Sequence, residues 1–90
     1  MEIAMTATST LSGRDRAILR AVAAGGAQLQ LGAEPDLFFD GRSCCDQNAA
    51  HHLVHTGLIN AATLGMVGHR VPAVLTPTGH QALDAYALAA

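Results

Sequence analysis

The side chains with the most chemistry crowd into one stretch: Cys44, Cys45, Gln47, Asn48, His51, His52 and His55. Sulfur and imidazole both suit Zn²⁺, and His51 and His55 stand one helical turn apart, so a metal- or redox-responsive site is one reading. The spacing argues the other way. There is no second CxxC or HxxxH, and His51 and His52 diverge by about 100° around a helix. Cys45 lies outside the helix and is free to pack inward. Neighbouring cysteines pair only through a strained ring, and a reactive thiol would need Arg42 or the next helix N-terminus to lower its pKa. Buried structural cysteine is therefore the expectation, with no metal and no cofactor. Ser43 or Cys44 with a histidine would lack a third group to orient the base, and no phosphate loop or dinucleotide fingerprint occurs. The chain reads as a non-enzyme.

The amides and imidazoles suggest a different chemistry. On a helix lying in a DNA major groove, Gln47 and Asn48 carry the paired donor and acceptor that suit adenine, and His51, His52 and His55 reach bases or phosphates. His69 and Arg70, at the tip of a following hairpin, are placed to enter the minor groove, and Arg14, Arg16 and Arg20 to face phosphates. The charge is the counterweight. All five basic residues are Arg, and the net charge is -2, which gives a weak grip on phosphate. Protonating the five histidines moves it to +3 (-2 + 5), so its sign is soft near pH 6.

The elements that would position these residues can be read from capping and periodicity. Residues 1–10 mix Thr, Ser and Ala without period and read as a flexible tail, leaving 11–90 as the domain. Ser12 caps a first helix, with Asp15 as the capping-box acid, Leu11, Ile18, Leu19 and Val22 on one face, and Gly25 and Gly26 at its end. Ala27 to Leu31 alternates as a strand, Gly32 to Asp36 is a turn, and Leu37 to Phe39 is a second strand closed by Asp40 and Gly41. Asp46 caps a second clear helix that runs to about Thr56, with Gly57 in the left-handed position. Ala49, Ala50, Leu53 and Val54 fall on its apolar side, and Asn48, His51, His52 and His55 on its polar side. Leu58 to Leu64 and Val71 to Leu75 are the arms of a hairpin with tip Gly65 to Arg70. Thr76 and Pro77 open a last helix, in which Leu83, Tyr86, Ala87 and Ala90 recur at helical steps.

Helix, "GLI", hairpin and then "LTPTGHQAL" resembles small bacterial winged-helix regulators of the MarR, PadR and ArsR kind, over roughly residues 46 to 83 and without singling out one family. The resemblance implies an α+β winged-helix-like domain with three main helices, short strands and a C-terminal β-hairpin wing. It implies a transcription regulator that reads duplex DNA through helix 46–56 and the wing 65–70, and that forms a homodimer through its terminal helices. It departs at residues 27–43, strand-like where those regulators carry a short helix that braces the reader. The alternative is a winged-helix protein-interaction module that binds no DNA and docks a partner through the apolar hairpin or last helix. The adjacent cysteines, the lack of a basic cluster before an apolar run, and the lack of a window near the ~20 apolar residues of a membrane span point to a soluble cytoplasmic protein.

Overall fold

The computed structural model describes residues 11–89, and side chains as far as Ala85. The tail read at 1–10, the side chain of Tyr86, Ala87 and Ala90 lie outside the described residues. The rest is a small α+β domain of three helices and a five-stranded antiparallel sheet.

Helix α1, Gly13–Ala24, starts where the capping box predicts. Ser12 Oγ accepts the Asp15 amide at 3.0 Å, and the Asp15 carboxylate accepts the Ser12 amide at 3.1 Å, so two amides at the open helix end are satisfied reciprocally. The chain then turns at Gly25 and Gly26 into a meander of β1 (Ala27–Gln30), β2 (Asp36–Phe39) and β3 (Arg42–Ser43). Helix α2, Gln47–His55, leads into β4 (Ile59–Ala61) and β5 (Arg70–Leu75), and α3 spans Pro77–Ala89. The strand order is β3-β2-β1-β5-β4, so β5 returns to lie between its hairpin partner and β1.

Register puts one apolar face of the sheet under the helices. Leu29 stands opposite Leu37 on one side and Val71 on the other, and Ile59 stands opposite Leu75. Ile18, Leu19 and Val22 of α1 and Ala50 and Leu53 of α2 close over this face. Leu19, Leu29, Leu37, Leu53 and Ile59 are fully buried, each worth about 1.5–3 kcal/mol of transfer free energy. The alternate residues Gln28, Gln30, Arg70, Pro72 and Val74 lie on the open face, the usual half-wet antiparallel arrangement. Among the described residues no helix is long and apolar enough to cross a membrane.

The structure corrects the bounds of the hairpin and the identity of the inward cysteine. The first hairpin arm is Ile59–Ala61 rather than Leu58 to Leu64, because the last rung runs from the Ala62 amide to the Pro72 carbonyl. Beyond it the chain clasps the end of β1: the Gly68 amide donates to the Leu31 carbonyl at 2.8 Å and the Leu31 amide to the His69 carbonyl at 2.9 Å. Arg70 accordingly belongs to β5 and not to the tip. The inward cysteine is Cys44, while Cys45 is exposed; both are free thiols. Leu83 of the last helix, the helix expected to carry a homodimer contact, packs with Ala82 against the chain's own core.

Candidate interaction surface

The corner that carries α2 into the hairpin is built from the "GLI" and "LTPTG" residues together. Gly57 adopts φ 82°, which closes α2 in a paired cap: its amide donates to Val54 and the Leu58 amide to Leu53. The Thr76 hydroxyl donates to the Gly57 carbonyl at 2.6 Å and accepts the Gly79 amide at 2.9 Å, so one side chain caps α3 and ties it to the end of α2. Gly79 lies so close to Leu58 that a Cβ there would collide with the Leu58 carbonyl oxygen.

At the other end of α2, Asp46 accepts the Ala49 amide through one oxygen and the Arg14 guanidinium, at 2.8 Å, through the other. The Arg14 hydrogen bond, then the helix amide, hold the Asp46 carboxyl below its usual range, and the same bond raises Arg14. Arg14 is thereby committed within the fold. Arg16 reaches the Leu11 carbonyl at 3.4 Å, and Arg20 is exposed.

Among the residues assigned to DNA, the amide of Gln47 turns inward. Strand β3 is only two residues long, and Gln47 continues its pairing with β2: Oε1 accepts the Leu37 amide at 2.9 Å, and Nε2 donates to the carbonyls of Leu37 and Cys44. His51 is drawn against the connection between β1 and β2, with Nε2 at 2.8 Å from Asp36 and Nδ1 at 3.3 Å from Glu34. Its side chain is 21% exposed. His55 Nε2 meets the same Glu34 oxygen at 3.3 Å. Arg70 crosses the open face of the sheet, and its guanidinium carbon lies 3.7 Å from the centre of the Phe38 ring, a cation–π contact. Asn48, His52 and His69 are exposed. The seven residues therefore do not converge on one surface: three are bound to acids or backbone on α2, one is stacked on β2, and three face solvent.

Periodicity placed the buried side of α2 correctly but missed its neighbours, Glu34 and Asp36, which put negative charge along the polar side. It also missed the hairpin tip. Leu64 is 100% exposed, Val67 84% and Met66 70%. The available signal was the apolar run "LGMVG", which lacks the alternation of a half-buried strand. The connection holding these residues is anchored by the Leu31 clasp and by a hydrogen bond from the His69 amide to the Met66 carbonyl. Among the described residues no three His, Cys, Asp or Glu side chains gather in a way that could hold a metal ion. No family model, no curated protein and no solved structure matches the chain.

Proposed function

We propose that the chain is a winged-helix protein-interaction module that docks a partner protein through the apolar tip of its β4–β5 hairpin, the wing. The observation that carries this reading is the tip itself: Leu64, Met66 and Val67 expose apolar surface together on a connection hydrogen-bonded to β1. Contiguous exposed apolar surface on a small domain marks a binding site more often than scattered single residues do. The winged-helix reading is supported by the order of α2, hairpin and α3 and by β1 lying against β5, and it departs from that pattern in the β2–β3 hairpin, which stands where a second helix would.

The shape of the tip limits its occupant. Three exposed side chains on one short connection offer far less than the roughly 800 Å² per partner of a standard interface, so two copies meeting tip to tip would bury too little to hold. A set this small buries most when it enters a concave apolar groove, and a folded partner protein with such a groove is the occupant proposed. Duplex DNA is less well served. The polar side of α2 is faced by Glu34 and Asp36, Arg14 and Arg70 are engaged within the chain, and the net charge is -2.

The test compares the wild-type chain with Leu64→Glu/Val67→Glu as bait in the source lysate. The recovered protein is then identified, purified and titrated calorimetrically against both. Binding by the wild type that weakens at least a hundredfold in the variant is expected. Equal binding to both, or duplex DNA bound by the wild type more tightly than ~1 μM at physiological salt, beyond the ordinary non-specific range, would overturn the proposal.

A further inference from the structure

Pro72 stands in β5, an internal strand of the sheet between β1 and β4. Proline has no N–H to give a ladder and is ordinarily kept to sheet edges, so which neighbour its nitrogen faces decides what the sheet loses. The clasp fixes the phase. Leu31 bonds to His69, so at the two-residue period of an antiparallel ladder the backbone groups of Val71 and Ala73 face β1, and those of Pro72 and Val74 face β4. The 2.8 Å rung from the Ala62 amide to the Pro72 carbonyl agrees. Pairing with β1 therefore loses nothing to the proline, and the deficit falls wholly on β4: Ala62 gives its amide to Pro72 and receives none in return. In the register of β4 and β5 the next pairs would be Thr63 opposite Val71 and Leu64 opposite Arg70. Strand β4 ends at Ala61 instead, and Gly65 lies so near Leu31 and Val71 that an added Cβ would be 3.0 Å and 3.3 Å from their side chains.

We propose that Pro72 is the positioning residue of the docking tip: its missing N–H stops the β4–β5 ladder at Ala62 and so keeps Leu64 out of the sheet. With a donor at position 72 the ladder runs on and Leu64 pairs with Arg70. Residues opposite each other in an antiparallel pair share a face, so the Leu64 side chain then lies on the open face beside Arg70, whose guanidinium covers Phe38, and no longer stands fully exposed. One proline thus decides whether this apolar side chain is spent on the sheet or left at the tip. The bonds of Leu31 to Gly68 and His69 lie on the β1 side of β5 and do not compete for the register with β4. That Leu64 docks a partner rests on the function proposed above, whereas the role of Pro72 in the ladder does not.

The test uses the full chain alone, with no partner, so its outcome is separate from that of the docking experiment. Two variants restore the donor, Pro72→Val and Pro72→Ala, and position 72 is exposed, so neither opens a cavity. Nuclear magnetic resonance reads the Hα–Hα contact between Thr63 and Val71 that marks a continued ladder, exchange of the Leu64 amide, and broadening of the Leu64 methyls by a soluble nitroxide. The Leu58 amide at the far corner reports that the fold is intact. In the wild type no Thr63–Val71 contact and strongly broadened methyls are expected. In both variants the contact should appear, the Leu64 amide should exchange about fivefold more slowly, the scale of one neutral backbone hydrogen bond, and the broadening should be lost in part, with Leu58 constant. Unchanged Leu64 exchange in both variants would show that the clasp alone keeps the ladder short. Extension in Pro72→Val without extension in Pro72→Ala would trace it to the strand propensity of valine and not to the donor. Either result would overturn the proposal.

Discussion

Strands β4 and β5 join two places built on opposite terms. At one end lies the corner where α2 enters β4 and β5 enters α3. There Gly57, Leu58, Thr76 and Gly79 are locked by short hydrogen bonds, and no room remains for one added carbon. At the other end lies the tip, where Leu64 touches so little of the chain that it is fully exposed. The corner puts its atoms into folding. The tip leaves its apolar atoms for something else. That contrast separates residues whose type is dictated by the fold from residues whose type the fold leaves open, and substitutions at the two ends should show it.

Gly79→Ala is expected to have the largest effect. The added Cβ meets backbone, the Leu58 carbonyl, which cannot rotate away as the end of a side chain could. Overpacking against rigid structure costs about 3 kcal/mol at the upper end of its usual range, or roughly 12–24 °C in Tm for a domain of this size. Calorimetry on the purified variant checks it, and an unchanged Tm would show that the corner has slack. Thr76→Val comes next. It keeps the volume and removes the hydroxyl that serves both Gly57 and Gly79, so a loss of about 1–2 kcal/mol is expected as a lower urea midpoint at unchanged slope. Thr76→Ser, which keeps the hydroxyl, should stay close to wild type.

The residues that cap the helices, Gly57 and Thr76 of the corner among them, were legible in the sequence because their signals are local. Ser12 with Asp15, Asp46, Gly57, and Thr76 with Pro77 each act within a turn of where they stand, and the helices begin and end accordingly. What periodicity could not see is set across the chain. Gln47 turns inward because β3 ends too soon to satisfy Leu37, ten residues earlier in the chain. His51 leaves the solvent face because Asp36, fifteen residues away, is brought beside it by the β1–β2 pairing. Strand β4 ends early because the chain after Ala62 is held by Leu31 instead of by β5. The DNA assignment of Gln47, His51 and Arg70 depended on a helix face and a hairpin considered separately, whereas each side chain answers to a neighbour on another element.

The Arg14–Asp46 bridge between α1 and the start of α2 is a smaller lever, and its sign is fixed by the depressed carboxyl. Asp46 has its folded-state pKa below the 3.8 of the free side chain, so it contributes stability above that value. The contribution is lost as pH falls through the folded value. Asp46→Asn keeps an N-cap but removes the titration, and Arg14→Ala removes the main cause of the depression. Both should flatten the decline of Tm between pH 5 and pH 2.5 and change little at pH 7. Both partners are at the surface, and added salt should shrink the difference further.

At the tip the expected effect on stability is the smallest of all. Leu64→Glu replaces a fully exposed apolar side chain by a charged one, with no cavity opened, no hydrogen bond broken and no buried charge created. Surface changes of this kind stay within about 0.5 kcal/mol. Val67→Glu should behave alike, since that residue is 84% exposed and follows the backbone bond that the Met66 carbonyl accepts without taking part in it. The force of the comparison lies in this near-zero value. If chemical denaturation shows either variant losing stability on the scale of Thr76→Val, the tip packs against the chain and is spent on the fold as the corner is. If stability is unchanged while partner binding disappears, the fold has no use for Leu64 and Val67, and their apolar character is accounted for by the groove they enter.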